Sequence, residues 1–171
     1  MNKVNNKGFT IIEIILSFSF IMIISVGLFL SATNYKNKQQ LESLRRDLET
    51  YKMNIITDIH KEIDKRGLES IEKDHGFIIL NFYDGESMQI VKLIDLVGNS
   101  GVAFEIDVNN KKSYYLNDSS SIISDIELVT SNRINFGASK KGYIYKINIT
   151  VHNDKIGDYP ISIVLTSFSN S

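Results

Sequence analysis

The chain has no cysteine, and this absence excludes several kinds of chemistry at once. Without thiols there is no disulfide, no thiolate metal site and no cysteine nucleophile. The three histidines, His60, His75 and His152, have none of the H-x-x-x-H or H-E-x-x-H spacings of metal sites. Since the sequence also lacks a G-x-S-x-G motif and a P-loop, no pattern points to an enzyme. We therefore expect no cofactor and no small-molecule substrate.

Charge of either sign is not in excess, because 19 Lys and Arg residues face 20 Asp and Glu residues, for a net charge of −1. The chain therefore lacks the excess of positive charge that is typical of a nucleic-acid-binding protein. Arg133, Lys140 and Lys141 beside Tyr143 and Tyr145 leave a small DNA-binding patch open as an alternative. The two tyrosines lie on the apolar face of a predicted strand, which favours a position in the core.

Several aspartates lie near asparagines in predicted turns, and oxygen-rich loops of this kind can hold calcium. They are Asp74, Asp84, Asp107, Asp118, Asp154 and Asp158. Asp and Asn are also the ordinary residues of turns. Calcium binding therefore stays open, and we assign no metal ligand.

Against these absences stands one long apolar run, residues 9–32, whose single charge is Glu13. About 20 apolar residues cross the hydrocarbon core of a bilayer, so the run predicts a membrane span. Ordinary secretory signals have shorter cores that end at a small-residue site, and none is clear here. A plain anchor gains nothing from a carboxylate, and an ionisable residue in such a segment is by default functional.

The residues that open this run carry a resemblance. Gly8, Phe9 and Glu13 form a Gly-Phe-Thr-x-x-Glu pattern after a short basic leader. The pattern resembles the class III signal sequence of type IV pilins and type II secretion pseudopilins, closely over residues 1–35 and only in architecture beyond. The resemblance implies that a membrane-embedded prepilin peptidase cuts after Gly8 and methylates the new amine on Phe9.

The chemistry of the pattern is intelligible from its residues. Gly8 presents no side chain to obstruct a peptidase. The cut frees an α-amine on Phe9, four residues from Glu13. The two charges cannot easily meet within one helix, but they can meet between neighbouring subunits of a filament. A buried carboxylate paired in this way sets register, which is the best-attested use of buried ion pairs.

After the apolar run, the helical pattern continues with apolar residues three and four positions apart. They are Leu41, Leu44, Leu48, Tyr51, Ile55, Ile59 and Ile63. This stripe predicts an amphipathic helix, and Gly67 is a natural end for it. The only proline is Pro160, so residues 9–67 can form one helix, with Gly27 as its weak point. Many pilins carry a proline at the position of Leu30, and its absence here puts melting of the helix in a filament in doubt.

From Gly76 the period changes to two, which predicts strands. We expect strands over 77–83 and 88–93 around an Asp84-Gly85 hairpin turn, then over 102–108, 113–116 and 122–130. A loop is predicted over 131–142, followed by strands over 143–151 and 160–168. Pro160 belongs at the first position of its strand or on a sheet edge. The order of these strands is faintly similar to that of minor pseudopilins of the J type.

Together these features predict an α+β, pilin-like fold, in which one long N-terminal helix packs on an antiparallel sheet. The expected divisions are a leader at 1–8, a transmembrane and filament-core helix at 9–35, an amphipathic half at 36–67 and a β domain at 68–171. A heptad coiled coil is the alternative use of the stripe.

The expected function is that of a minor pilin or pseudopilin, a non-enzymatic subunit of a pilus, secretion or competence filament. Its expected partners are prepilin peptidase, other pilin subunits and, before assembly, the membrane. The resemblance implies that the globular part lies outside the cytoplasm and that after assembly the subunit is in a cell-surface filament. The alternatives are a signal-anchored surface domain and a DNA-binding competence pilin.

Overall fold

A computed structural model describes residues 10–95, 98–107, 110–136 and 140–170, with side-chain surroundings for all of these except 107, 130–141, 169 and 170. The described chain forms two compact units, Met1–Ser43 and Leu44–Ser171. The fold is α+β, as predicted, with one long helix and two antiparallel sheets. The elements are α1 Ile11–Arg66, β1 Leu68–Asp74, β2 Phe77–Phe82, β3 Ser87–Ile94, β4 Ser100–Asp107, β5 Asn110–Tyr115, β6 Ser121–Phe136, β7 Lys140–Asn153 and β8 Gly157–Asn170.

The eight strands form two sheets, where we had expected one. The first has the order β1-β2-β3-β4-β5, so each strand pairs with its neighbour in sequence. The second has the order β6-β7-β8. The break falls between β5 and β6, where the turn at Asn117 to Ser120 ends the first meander.

The predicted apolar stripe packs against the sheets within the unit Leu44–Ser171. Leu44, Leu48, Tyr51, Ile55 and Ile59 are buried, spaced three or four residues apart as one face of a helix requires. Four of these residues, Leu48, Tyr51, Ile55 and Ile59, share one core with the strands of both sheets. Burial of a continuous apolar stripe is the main source of stability for such a helix. The interpretation of the stripe as a sheet-packing face is therefore confirmed from Leu44 to Ile63, whereas Leu41 is half-buried and belongs to the other unit.

The end of α1 is fixed by two devices. Gly67 follows the last helical residue with a φ of 72°, a conformation that glycine adopts without strain, and its N–H donates to the carbonyl of Ile63 at 2.7 Å. Arg66 reaches Glu62 at 3.1 Å and Asp84 at 3.3 Å, with its guanidinium 5.7 Å from the ring centre of Phe82. The helix end is therefore held against the β2–β3 turn.

The middle of the stripe is held to strand β5 by a hydrogen bond, at a place where two strand backbones approach closely. The Tyr51 hydroxyl donates to the carbonyl of Tyr114 at 3.1 Å. The same carbonyl oxygen lies 2.1 Å from the place a Cβ would take on Gly101, the residue that pairs with Tyr115 across the β4–β5 ladder. Only glycine fits here, which explains a glycine inside a buried strand.

Most predicted strands are present, but one strand was missed and one predicted loop was wrong. The hairpin at Asp84-Gly85 joins β2 and β3, and Pro160 lies on the edge strand β8. Strand β1 was not predicted. The loop expected over 131–142 is instead largely strand, because β6 and β7 pair as far as Phe136 and Lys140. The sequence also predicts a turn at Asn109-Asn110; Asn109 is outside the described residues, and Asn110 opens β5.

Candidate functional site: the apolar segment and Glu13

The first candidate site is the part of α1 that we call the apolar segment, residues 11–33. Its large apolar side chains are mostly exposed, from 54% at Met22 to 77% at Ile11. Its most apolar window has a mean hydropathy of 2.5, and none of that window is buried inside the protein. Exposed apolar surface of this extent marks a membrane or protein interaction site. The helix is long and apolar enough to cross a membrane, consistent with a membrane anchor.

The first turn of the helix places Glu13. The Thr10 N–H donates to Glu13 Oε2 at 2.8 Å, and the Thr10 hydroxyl donates to the same oxygen at 3.0 Å. In return the Glu13 N–H donates to Thr10 Oγ1 at 3.3 Å. This reciprocal pair is a capping box, with Thr10 as the N-cap. Sequence reasoning missed it, although the Thr-x-x-Glu spacing that signals it stands in the sequence.

The capping box gives Glu13 a structural role besides the predicted one in assembly. Both donors from Thr10 end on Oε2. A carboxylate offers about four acceptor positions, so Glu13 retains capacity for a further donor. The structure therefore shows a carboxylate that is oriented within its own chain and still able to accept a hydrogen bond from elsewhere.

Two hydroxyl groups inside the apolar segment, those of Ser19 and Thr33, are satisfied locally. Ser19 donates to the carbonyl of Ile15 and Thr33 to that of Phe29, each at 2.9 Å and one turn back along the helix. These two hydroxyls, which would be unsatisfied in lipid, are thus paired within the helix. Gly27 lies within the helix with open space around its Cβ position, so no packing contact explains a glycine there.

The predicted cleavage residues Gly8 and Phe9 lie outside the described residues. The structure describes only the start of the helix that follows the predicted cleavage site. Thr10 caps the helix and Ile11 is its first residue. The assignment of Gly8 and Phe9 therefore stays a prediction from the sequence.

The histidines are on exposed or half-exposed positions. His60 is exposed on α1, and His75 lies in the β1–β2 turn in contact with Asp74. His152 on β7 has Nδ1 at 2.7 Å from Asp158. Among the residues that the structure describes, no group of three or more His, Asp or Glu side chains has metal-binding geometry.

Asp118 has a structural role in a polar network between two turns. Its carboxylate accepts the N–H of Ser120 at 3.0 Å and the side-chain amide of Asn153 at 3.2 Å. Asn153 is fully buried and also donates to Ser121 at 2.8 Å. The hydrogen bond from the Ser120 backbone holds the pKa of Asp118 below its ordinary value, with help from the Ser120 hydroxyl, Asn153 and the charge of Lys155. The network ties the β5–β6 turn to the end of β7.

The proposed DNA patch is described only in part. Tyr145 is 8% exposed, and Tyr143 packs against the core with its ring 6.3 Å from that of Tyr145. This matches the core interpretation of the two tyrosines. The side chains of Arg133, Lys140 and Lys141 lie outside the described surroundings.

Comparisons with known proteins found no family, no curated protein and no solved structure that matches this chain. The function is therefore inferred from the motif and from the geometry described above.

Proposed function

We propose that the chain is a minor pilin or pseudopilin, a structural subunit of a type IV pilus, a type II secretion pseudopilus or a competence pseudopilus. In this proposal prepilin peptidase cuts after Gly8 and methylates Phe9. The subunit waits in the membrane with its globular part outside the cytoplasm and then joins a cell-surface filament. No catalytic chemistry and no small-molecule substrate is assigned to it.

One observation carries the proposal: a carboxylate in the first turn of a helix segment that is otherwise apolar and exposed. An anchor needs the apolar residues and uses Glu13 only as part of the capping box. A soluble domain needs neither the exposed apolar segment nor its charge. A filament subunit uses both, because neighbouring helices bury the apolar surface and a partner charge meets Glu13.

The geometry at Glu13 leaves its carboxylate free to accept a second partner. Before cleavage, Thr10 supplies two hydrogen bonds to Oε2. Cleavage creates a positive amine on Phe9, next to Thr10 in the sequence. In a filament the amine of one subunit pairs with Glu13 of its neighbour, and this bond, in which donor and acceptor are both charged, adds to the two bonds that the uncharged Thr10 groups donate. The pairing then fixes the offset between subunits.

Two alternatives make different predictions. A signal-anchored surface domain uses the same apolar segment and leaves Glu13 with its capping role alone. A DNA-binding competence pilin needs an accessible basic patch, and the core positions of Tyr143 and Tyr145 give it no support.

The test is the variant Glu13→Gln, which keeps the shape of the side chain and removes its charge. We expect normal cleavage and lost crosslinking to the adjacent subunit, because the carboxylate is needed only once a free amine and a neighbour are present. The absence of native cysteine allows single introduced cysteines to report the crosslink. Glu42→Gln, an exposed position on the same helix, is the matched control. Wild-type crosslinking of Glu13→Gln would assign the charge another purpose.

A further inference from the structure

Distances along the apolar segment restrict how it lies in a bilayer. Between Glu13 and the next charged residue, Lys36, no charge occurs. At a rise of 1.5 Å per residue, residues 14–32 extend about 28 Å along the helix axis. This is close to the roughly 30 Å thickness of a hydrocarbon core. The uncharged part therefore spans the hydrocarbon without needing residues 9–13.

The C-terminal end of this stretch carries side chains suited to a headgroup layer. Tyr35 is 64% exposed, and Lys36 and Lys38 are exposed beside it. None of the salt bridges among the described residues involves either lysine. Tyrosine rings favour the membrane–water interface, and lysine ammonium groups reach lipid phosphates while their stems lie along the apolar boundary.

The N-terminal end carries groups that need water. The first N–H groups of any helix have no partner within it. In hydrocarbon each of them would be an unsatisfied polar group. The capping box at Thr10 and Glu13 satisfies part of this set, and its carboxylate retains acceptor capacity. The N–H groups that remain and the free acceptor positions of Glu13 can both bind water if this end of the helix lies at a headgroup boundary.

We propose that the chain binds a phospholipid bilayer with residues 14–32 in the hydrocarbon, Tyr35, Lys36 and Lys38 on the headgroups of one leaflet, and Glu13 at the opposite headgroup boundary. Glu13 then lies about 33 Å along the helix from Tyr35. The carboxylate is at the membrane surface, where water reaches it, and not in the lipid core. The chain takes this position in the membrane whether or not it later joins a filament.

The rival arrangement centres the whole apolar run, residues 9–32, on the bilayer and sinks Glu13 into the hydrocarbon. The two arrangements differ in their midpoint, which lies near Ile23 in the first and between Phe20 and Ile21 in the second. Leu16 and Leu30 lie about 10 Å on either side of the first midpoint. From the second midpoint they lie about 7 Å and about 14 Å away.

The test uses tryptophan fluorescence, since the chain has no tryptophan of its own. Leu16→Trp and Leu30→Trp are made in the full chain and reconstituted in phosphatidylcholine–phosphatidylglycerol vesicles. Lipids brominated at different depths then quench the probe according to its distance from the midplane. We expect equal depth for the two probes, whichever way the chain is inserted and however it tilts. A Leu16→Trp probe deeper than Leu30→Trp by about 7 Å, or a deeper Leu30→Trp probe, would overturn the proposal.

A second comparison tests the headgroup contacts themselves. The combined change Tyr35→Ser, Lys36→Gln and Lys38→Gln should let the Leu30→Trp probe sink deeper than Leu16→Trp. The matched control is Lys61→Gln with Lys65→Gln, which removes two exposed lysines at the far end of the helix and should leave the depths equal. Equal depths in the combined variant would show that Tyr35 and the two lysines do not hold the helix in place.

Discussion

Leu48 is the residue whose replacement tests the packing of α1 most sharply. It is 2% exposed and belongs to the core shared by the helix and both sheets. Leu48→Ala removes three buried carbons and leaves a cavity, at a cost of about 2–5 kcal/mol. A domain of this size has a stability of about 5–15 kcal/mol. Leu48→Asp adds the cost of burying a charge without a partner, so we expect Leu48→Ala to weaken the domain and Leu48→Asp to unfold it.

The assay is urea unfolding of residues 36–171, followed by circular dichroism. Met53, on the same helix and 56% exposed, provides the control. Met53→Asp introduces the same charge on the solvent side and should change the free energy of unfolding by less than about 1 kcal/mol. A Leu48→Asp domain as stable as wild type would refute the reasoning, because the stripe would then face something other than the sheets.

Two further predictions concern the β domain. Gly101→Ala should lower the free energy of unfolding by at least about 1–3 kcal/mol, because its Cβ would meet the Tyr114 carbonyl at 2.1 Å; an unchanged urea midpoint would contradict that close approach. The pKa of Asp118 is lowered in the folded domain, so its carboxylate stabilises the fold at pH values above the unfolded pKa of about 3.9. This stabilisation is lost as the pH falls through the folded pKa, and the domain should therefore become less stable in acid. Asp118→Asn should therefore lose less stability than wild type between about pH 5 and pH 2, and parallel curves for the two proteins would show that the carboxylate is not stabilised by its neighbours.

Local patterns predicted the helix and most strands because each depends on nearby residues. Spacings of three and four marked the buried face from Leu44 to Ile59, and Gly67 marked its end. The Asp84-Gly85 pair marked the turn between β2 and β3. In each case the residues that decide the structure lie within a few positions of one another.

What the sequence did not reveal depends on distant contacts. Strand β1 has only Leu68 and Ile71 buried, so its composition resembles a polar loop until β2 pairs with it. The segment expected to be a loop over 131–142 is strand because β6 and β7 satisfy each other's backbone groups. The division into two sheets depends on which strands pair at their edges, and the local sequence does not encode that pairing.

The candidate site was predictable in part. The apolar segment and Glu13 follow from the sequence, and the structure adds that the segment is exposed and that Thr10 orients the carboxylate. The Thr-x-x-Glu spacing of the capping box is present in the sequence, but it overlaps the cleavage motif, in which only the charge of Glu13 was interpreted.

The mass of the mature N-terminus tests the central claim most directly. The protein is purified from cells that contain prepilin peptidase, and its N-terminal peptide is measured by mass spectrometry beside that of Gly8→Leu, which should remain an uncleaved membrane-bound precursor. The proposal predicts a chain that starts at Phe9 with a methylated amine. A wild-type chain that retains Met1, or one cut near Ala32, would contradict it, as would normal cleavage of the Gly8→Leu variant.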